Sequence, residues 1–173
     1  MDGRNRRAVR SDTLEIQLPL VHKFSPVLGN IVSSPTIYLE IQTAEMQFVE
    51  QPFKVDPGSD VTTISIPVAE RLGIVIPRRR ARIEIKSSTG VRIAEVQTGH
   101  IVARLLTLPR LEFDWPCLFV PATRDDAPEA ILGLTGLAQD FTFSYDTTYR
   151  PGAPFGILLL ELRPDHRGRR VRT

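Results

Sequence analysis

The stretch from residue 53 to residue 65, FKVDPGSDVTTIS, decides how the chain is interpreted. An apolar, alternating segment runs directly into Asp56, and the four residues Asp56-Pro57-Gly58-Ser59 are by themselves a favourable β-turn sequence. Gly58 would let the backbone approach a substrate or a neighbouring loop closely, and Ser59 could donate a hydrogen bond to the Asp56 carboxylate. From this fragment alone, Asp56 is either the first residue of a polar turn or a catalytic carboxylate at the end of a strand.

The segments around this stretch carry the alternating pattern of β-strands. TIYLEIQ (36–42) alternates apolar and polar residues, and MQFVEQPFKV (46–55) follows after a three-residue link, so a hairpin is expected. The long segment 78–109 is typical of strand, turn and strand, with Ser87, Ser88, Thr89 and Gly90 as the turn. Further strands are expected at LEFDWPCLFVP (111–121), FTFSYD (141–146) and FGILLLELRP (155–164).

Helical signals are few and short. IPVAERLGIVIP (66–77) has Pro67 near its start and Gly73 near its end, and a second short helix is expected after ILGL (131–134). TLEIQLPLVHKF (13–24) predicts a strand that Pro19 places at a sheet edge, and GNIVSSP (29–35) predicts a loop. The sequence therefore predicts a mainly β fold with one or two short helices.

Length and composition favour a single domain with basic ends. The chain has 173 residues, 42% of them hydrophobic, and its 11 Gly and 14 Pro indicate many turns. Eight of its 22 Lys and Arg lie in the first ten and the last seven residues. We expect a basic N-terminal tail (1–12), a folded domain (13–163) and a basic C-terminal tail (164–173). Basic ends also leave open a nucleic-acid binder, but solvated tails are the better explanation, so nucleic acid is not an expected partner.

Other chemistries find little support. Cys117 lies in an apolar strand pattern, which favours an inert core thiol and, as the single cysteine, a reducing, cytoplasmic setting. The three histidines, His22, His100 and His166, lack metal-ligand spacing, so neither a metal nor a cofactor is expected. No run of about 18 apolar residues and no apolar leader segment is present, so no membrane span is expected.

Several motifs, taken in order, resemble the retropepsin-like aspartic proteases. Asp56-Pro57-Gly58-Ser59 stands in the place of the family's Asp-Thr/Ser-Gly-Ala/Ser motif, and VAERLGI (68–74) follows it as the family's short helix does. The hairpin with its turn at 87–90 would be the flap, Ile131-Leu132-Gly133 the later glycine segment, and FTFSYD (141–146) the closing strand. The resemblance covers roughly residues 36–146.

The resemblance implies a retropepsin-like acid-protease β-barrel with a flap hairpin, and a specific chemistry. Such enzymes activate water between two carboxylates that share one proton. This chain has a single motif of this kind, so the resemblance implies a homodimer that contributes Asp56 from each subunit and cleaves peptide or protein substrates. Pro57 departs from the family pattern because it lacks the hydroxyl that braces the two active loops. A catalytically weak or inactive domain for dimerisation or protein binding is therefore the alternative.

Overall fold

The described part of the chain folds into eleven strands and two short helices. A computed structural model describes residues 15–25, 30–87, 90–121, 130–153 and 156–170. Within these ranges the elements are, in chain order, β1 (Glu15–Ser25), β2 (Asn30–Gln42), β3 (Phe48–Val55), β4 (Thr62–Ser65), α1 (Ile66–Arg71), β5 (Arg80–Ser87), β6 (Gly90–Leu105), β7 (Leu108–Val120), β8 (Ala130–Leu132), α2 (Leu134–Asp140), β9 (Phe141–Asp146), β10 (Ile157–Leu162) and β11 (Arg169–Arg170).

Six of the strands close into a barrel. Their order is β2, β3, β8, β4, β7 and β6, and β6 returns to β2 through the pairs Leu39–Leu105 and Ile41–Ala103. Two of the pairings, β3 with β8 and β4 with β7, are parallel, and the others are antiparallel. Because the sheet closes on itself, each of the six strands is hydrogen-bonded to a barrel neighbour on both sides along its paired residues. The predicted mainly β barrel with two short helices is confirmed.

Side chains on alternate positions of the barrel strands form the core. In β2, Ile37, Leu39 and Ile41 are buried whereas Tyr38 is half exposed, as the alternating pattern predicts. In β7 the buried residues are again alternate ones, and two of them, Phe113 and Trp115, stack with ring centroids 5.3 Å apart. The largest fully buried side chains are Trp115, Phe53, Phe113, Phe119, Phe141, Leu39, Ile41, Ile64, Leu105, Leu132, Leu137 and Leu158.

Strands from the two ends of the chain form a sheet that continues from the barrel. β1 pairs through Glu15–Pro19 with β10 and through Leu20–Ser25 with β2, so each half of β1 has one paired side. Pro19 is the last residue of β1 that pairs with β10, and pairing with β2 begins at Leu20. A proline has no backbone N–H to donate, and this change of partner is a place where the sheet can do without one. The loop predicted at 29–35 is wrong, because residues 30–35 belong to β2 and pair with β1. β10 lies between β1 and β9, and β9 is the last strand of this sheet.

The two helices are short, for different reasons. Pro67 occupies the first turn of α1, and Gly73, at φ 66°, follows the C-cap Leu72, so this helix begins and ends as predicted. α2 is interrupted by non-helical backbone at Thr135 and Gly136. Within the described ranges, neither helix has the length and apolar character that crossing a bilayer requires.

The C-terminal segment packs against the barrel. β11 pairs with β7 through Arg169–Glu112 and Arg170–Leu111, so residues of the predicted basic tail (164–173) contact the folded domain up to residue 170. The Asp140 carboxylate at the end of α2 accepts a hydrogen bond from the backbone N–H of Arg167 at 2.6 Å. The predicted N-terminal tail (1–12) lies outside the described residues.

Candidate active site

Asp56 lies at the end of β3, as the first residue of a tight turn. Its backbone N–H donates to the carbonyl oxygen of Leu132 at 3.0 Å, which continues the pairing of β3 with β8 for one more residue. The N–H of Ser59 donates to the Asp56 carbonyl at 2.9 Å, closing a β-turn in which Pro57 is the second residue. Both interpretations of the sequence are thus compatible: the residues form the expected turn, and the turn places a carboxylate at a strand end.

Both oxygens of the Asp56 carboxylate accept hydrogen bonds. Oδ1 accepts from the backbone N–H of Gly58 at 3.0 Å, and Oδ2 accepts from Lys54 Nζ at 3.0 Å. The Lys54 and Asp56 side chains are each about one third exposed to solvent. Lys54 is two residues before Asp56, which places the two side chains on the same face of the extended chain. Lys54 was not among the predicted site residues, although a lysine two positions before the acid is a signal that the sequence carries.

Within the turn, the hydrogen bond to the Asp56 carboxylate comes from a different residue than the sequence predicted. The Ser59 hydroxyl donates to the carbonyl oxygen of Val61 at 3.0 Å and not to the Asp56 carboxylate, so the expected Ser59–Asp56 hydrogen bond is wrong. Pro57 offers neither a hydroxyl nor an N–H. Support of the carboxylate within the turn therefore comes from the Gly58 N–H.

The predicted glycine segment lies directly against the Asp56 turn. The N–H groups of Leu134 and Thr135 donate to the carbonyl oxygens of Ser59 and Asp60 at 2.8 and 2.9 Å. A Cβ on Gly133 would lie 2.5 Å from the backbone carbonyl carbon and oxygen of Val61, so only glycine fits this approach. The structure thus brings Ile131, Leu132 and Gly133 together with the Asp56 turn.

Thr62 connects the two segments and was missed by the sequence analysis. It is fully buried, its Oγ1 donates to the carbonyl oxygen of Thr135 at 3.1 Å, and it accepts from the Gly133 N–H at 3.2 Å. The Thr135 hydroxyl in turn donates to the Asp60 carbonyl. A threonine just after a turn is too common in sequences to have signalled this role.

The predicted flap hairpin is formed by β5 and β6. Ser87 pairs with Gly90, and Ser88 and Thr89 between them lie outside the described residues. A cavity of about 500 Å³ is lined by Gly58, Ser59 and Asp60 of the active turn together with Glu84 of β5. The hairpin strand and the Asp56 turn therefore border the same open space.

Tyr145 on β9 is electrostatically close to the carboxylate. Burial raises the pKa of its phenol above the ordinary value, and the negative charge of Asp56 raises it further. The side chain is still 49% exposed. β9, the predicted closing strand, therefore passes within electrostatic range of the candidate catalytic group.

The remaining candidate groups lie in other surroundings. Burial raises the pKa of the Cys117 thiol to about 12, which is the behaviour of an inert core thiol. His100 is exposed and lies 2.9 Å from Asp114, and the Nδ1 of His166 accepts from the N–H of Gly168. No group of three or more metal-binding side chains is found among the residues that the structure describes. A second cavity, of about 250 Å³, lies beside the Arg80–Glu95 ion pair.

The comparisons with known proteins identify the class of fold. The chain superimposes on the crystal structure of a retropepsin-like aspartic protease from Rickettsia conorii with a TM-score of 0.54, covering 87% of this chain and 93% of that one. Sequence identity between the two is 15%. No protein-family model and no curated protein matches the sequence. The chain therefore has a retropepsin-like fold, and this likeness is one of structure.

Proposed function

We propose that the protein is an aspartic endopeptidase that works as a homodimer, with Asp56 of each subunit forming the catalytic pair. The observation that carries the proposal is the position of Asp56. Its carboxylate lies at a strand end, in a turn that the glycine segment of a retropepsin-like barrel holds and whose residues Gly58, Ser59 and Asp60 line a cavity. This is where a water molecule and a peptide carbonyl could both reach one carboxylate.

The chemistry needs two such carboxylates. One ionised Asp56 would take a proton from water, while the protonated Asp56 of the other subunit would donate a hydrogen bond to the scissile carbonyl oxygen. Water attacks the carbonyl carbon, and proton transfer to the leaving nitrogen completes the cleavage without a covalent intermediate. Two carboxylates at contact distance cannot both be ionised without a large energetic penalty, so the pair holds one proton.

The sheet outside the barrel offers a surface for this dimer. Within the described residues β9 pairs only with β10, so its other edge has unpaired backbone groups that a second copy could complete. Tyr145 on β9 links this edge electrostatically to Asp56. The apolar strand near the C-terminal end of the chain needs no second copy for burial, because Leu158 and Leu160 of β10 are already fully buried within one chain. β9 is therefore the better candidate for the interface.

The test is peptidase activity of the wild type and of Asp56→Asn, measured between pH 3 and pH 8 on a mixed peptide library. We expect Asp56→Asn to lower the rate by at least about 100-fold, the usual contribution of a positioned acid or base. Asn keeps an oxygen for the Gly58 N–H, so the fold should be retained. Asp114→Asn is the matched control, because Asp114 is an exposed aspartate paired with His100. Undiminished cleavage by Asp56→Asn would contradict the proposal.

The alternative is a retropepsin-like domain that binds or dimerises without catalysis. Two observations favour it: Pro57 removes the hydroxyl at the second turn position, and Lys54 already occupies one oxygen of Asp56. A wild-type dimer that cleaves no library peptide at any pH would support this alternative.

A further inference from the structure

The Asp56 carboxylate contacts one backbone donor and one cation. Oδ1 accepts from Gly58, and Oδ2 accepts from the Lys54 ammonium, each at 3.0 Å. An ammonium group has only donors. A proton on the carboxyl group would remove the negative charge that the Lys54 ammonium pairs with, so protonation and the ion pair oppose each other. The contact as it stands belongs to the ionised carboxylate.

Lys54 is held in this position by the strand that carries it. Its neighbours Phe53 and Val55 are buried in the core, so the strand alternation turns Lys54 to the outer face together with Asp56. Each subunit supplies its own lysine, because the pair lies within one chain. A dimer would therefore bring two lysines as well as two carboxylates to the twofold axis.

The other charged groups around Asp56 do not offset this effect. Tyr145 faces it from β9, and Asp60 and Glu84 border the adjoining cavity from the turn and from β5. The segment from β8 into α2, residues 130–137, has no titratable side chain. Among the residues that the structure describes, Lys54 is therefore the cation in direct contact with Asp56, and the three other groups named here are acidic or phenolic.

We propose that Lys54 is a positioning residue that competes with the proton shared by the two Asp56 carboxylates and so confines cleavage to a more acidic range. At neutral pH the two lysines neutralise the two ionised carboxylates, and the dimer persists in a resting, unprotonated form. As the pH falls, a proton enters the pair and one lysine contact opens. This inference rests on the proposed function for its catalytic consequence, but its effect on assembly is independent of catalysis.

The test compares Lys54→Met, which keeps length and removes charge, with Lys54→Arg, which keeps charge. Arg80→Met is the matched control, since Arg80 is a cation in an exposed ion pair with Glu95. We expect Lys54→Met to move the alkaline limb of the pH–activity profile to higher pH by about one unit. This is the smallest shift expected when an opposite charge in contact with a carboxylate is removed. Lys54→Arg and Arg80→Met should keep the wild-type limb. An unmoved limb in Lys54→Met, or one moved toward acid, would overturn the inference.

A second measurement separates this inference from the proposed function. The dimer dissociation constant is determined by sedimentation at pH 7.5 and pH 4.5. Lys54→Met should weaken the dimer about tenfold or more at pH 7.5, equivalent to about 1.4 kcal/mol, and much less at pH 4.5, where a proton replaces the lysine. If this pattern appears in a protein that cleaves nothing, the peptidase proposal fails, and the competition of Lys54 with a proton at the dimer axis stands through its effect on assembly alone. Equal weakening at both pH values, or no dimer at all, would overturn the role of Lys54.

Discussion

Cys117 shows how strongly the barrel interior acts on a single group. It lies on β7 with 1% of its surface exposed, and burial raises its pKa to about 12, against about 8.5 for a thiol in an unfolded chain. Below about pH 7.5 both states are protonated and the thiol has no effect on the pH dependence of stability. Between about 8.5 and 12 the unfolded state releases a proton that the folded state keeps, so the folded state loses stability as the pH rises.

Each pH unit above the pKa of the unfolded thiol should lower the free energy of unfolding of the wild type by about 1.4 kcal/mol. Between pH 8 and pH 10 we therefore expect this free energy to fall by about 2 kcal/mol more in the wild type than in Cys117→Ala. Urea denaturation at both pH values measures this difference, and all other titrating groups are common to the two proteins. Parallel losses of stability would show that the thiol is not held in its neutral form by the fold.

Around Asp56, the sequence could identify the acid but not all of its contacts. The turn residues and the glycine segment were readable because glycine and proline restrict backbone geometry in ways that leave a sequence signal. The hydroxyl of Ser59 was assigned to the carboxylate, yet it bonds the carbonyl of Val61, because a serine has several backbone acceptors within reach. Thr62 was missed because its partners, Gly133 and Thr135, are more than 70 residues away in the chain.

At the scale of elements, the close approach of two loops depends on Gly133. Its missing Cβ makes room for the backbone of Val61, which cannot move aside as a flexible side chain would. We expect Gly133→Ala to lower the free energy of unfolding by about 3 kcal/mol, the upper part of the range for overpacking. Peptidase activity should fall by more than the loss of folded protein accounts for, because the added Cβ displaces the Asp56 turn.

Gly73→Ala is the control for this variant. Gly73 has φ 66° but no atom within 4 Å of an added Cβ, so the substitution should cost only the backbone term, about 1 kcal/mol. Chemical denaturation and peptidase rates are measured for both variants. If Gly133→Ala is no less stable and no less active than Gly73→Ala, the two loops are not held together as described.

The C-terminal segment is attached to the barrel through a buried carboxylate. Asp140 is 2% exposed and accepts from Trp115 Nε1 at 2.7 Å and from the Arg167 N–H at 2.6 Å. Asp140→Ala would leave both donors without an acceptor, and we expect it to lower the free energy of unfolding by about 3 kcal/mol. Asp165→Ala, at an exposed aspartate paired with Arg163, should change stability little. Equal stability of the two variants in urea would contradict the anchoring role of Asp140.

Which elements exist was largely predictable, whereas their partners were not. The patterns of TIYLEIQ and LEFDWPCLFVP are local signals, and both segments became strands; in TIYLEIQ the alternate apolar residues are the buried ones. GNIVSSP was interpreted as a loop because its Gly, Ser and Pro residues favour turns, yet residues 30–35 extend β2 through pairing with β1. That pairing is a tertiary contact, and tertiary context overrides weak strand preferences. The insertion of β10 between β1 and β9 likewise left no local trace in the sequence.

At the scale of the whole molecule, the proposed function requires two chains to build one active site. The retropepsin-like barrel of a single subunit carries one Asp-x-Gly-Ser motif, at Asp56, so under this proposal the second carboxylate comes from a second copy. A twofold axis beside Asp56 would supply it. The β9 edge and Tyr145 are where that axis is expected to lie.

Mixing wild-type and Asp56→Asn subunits tests this claim most directly. The two proteins are mixed at increasing mutant fraction, allowed to exchange subunits, and assayed at constant total protein well above the dimer dissociation constant. If each site needs Asp56 from both subunits, activity follows the square of the wild-type fraction, and an equal mixture keeps about one quarter of the wild-type rate. A linear decline, with about one half of the rate remaining in the equal mixture, would contradict the claim that two Asp56 residues form one site.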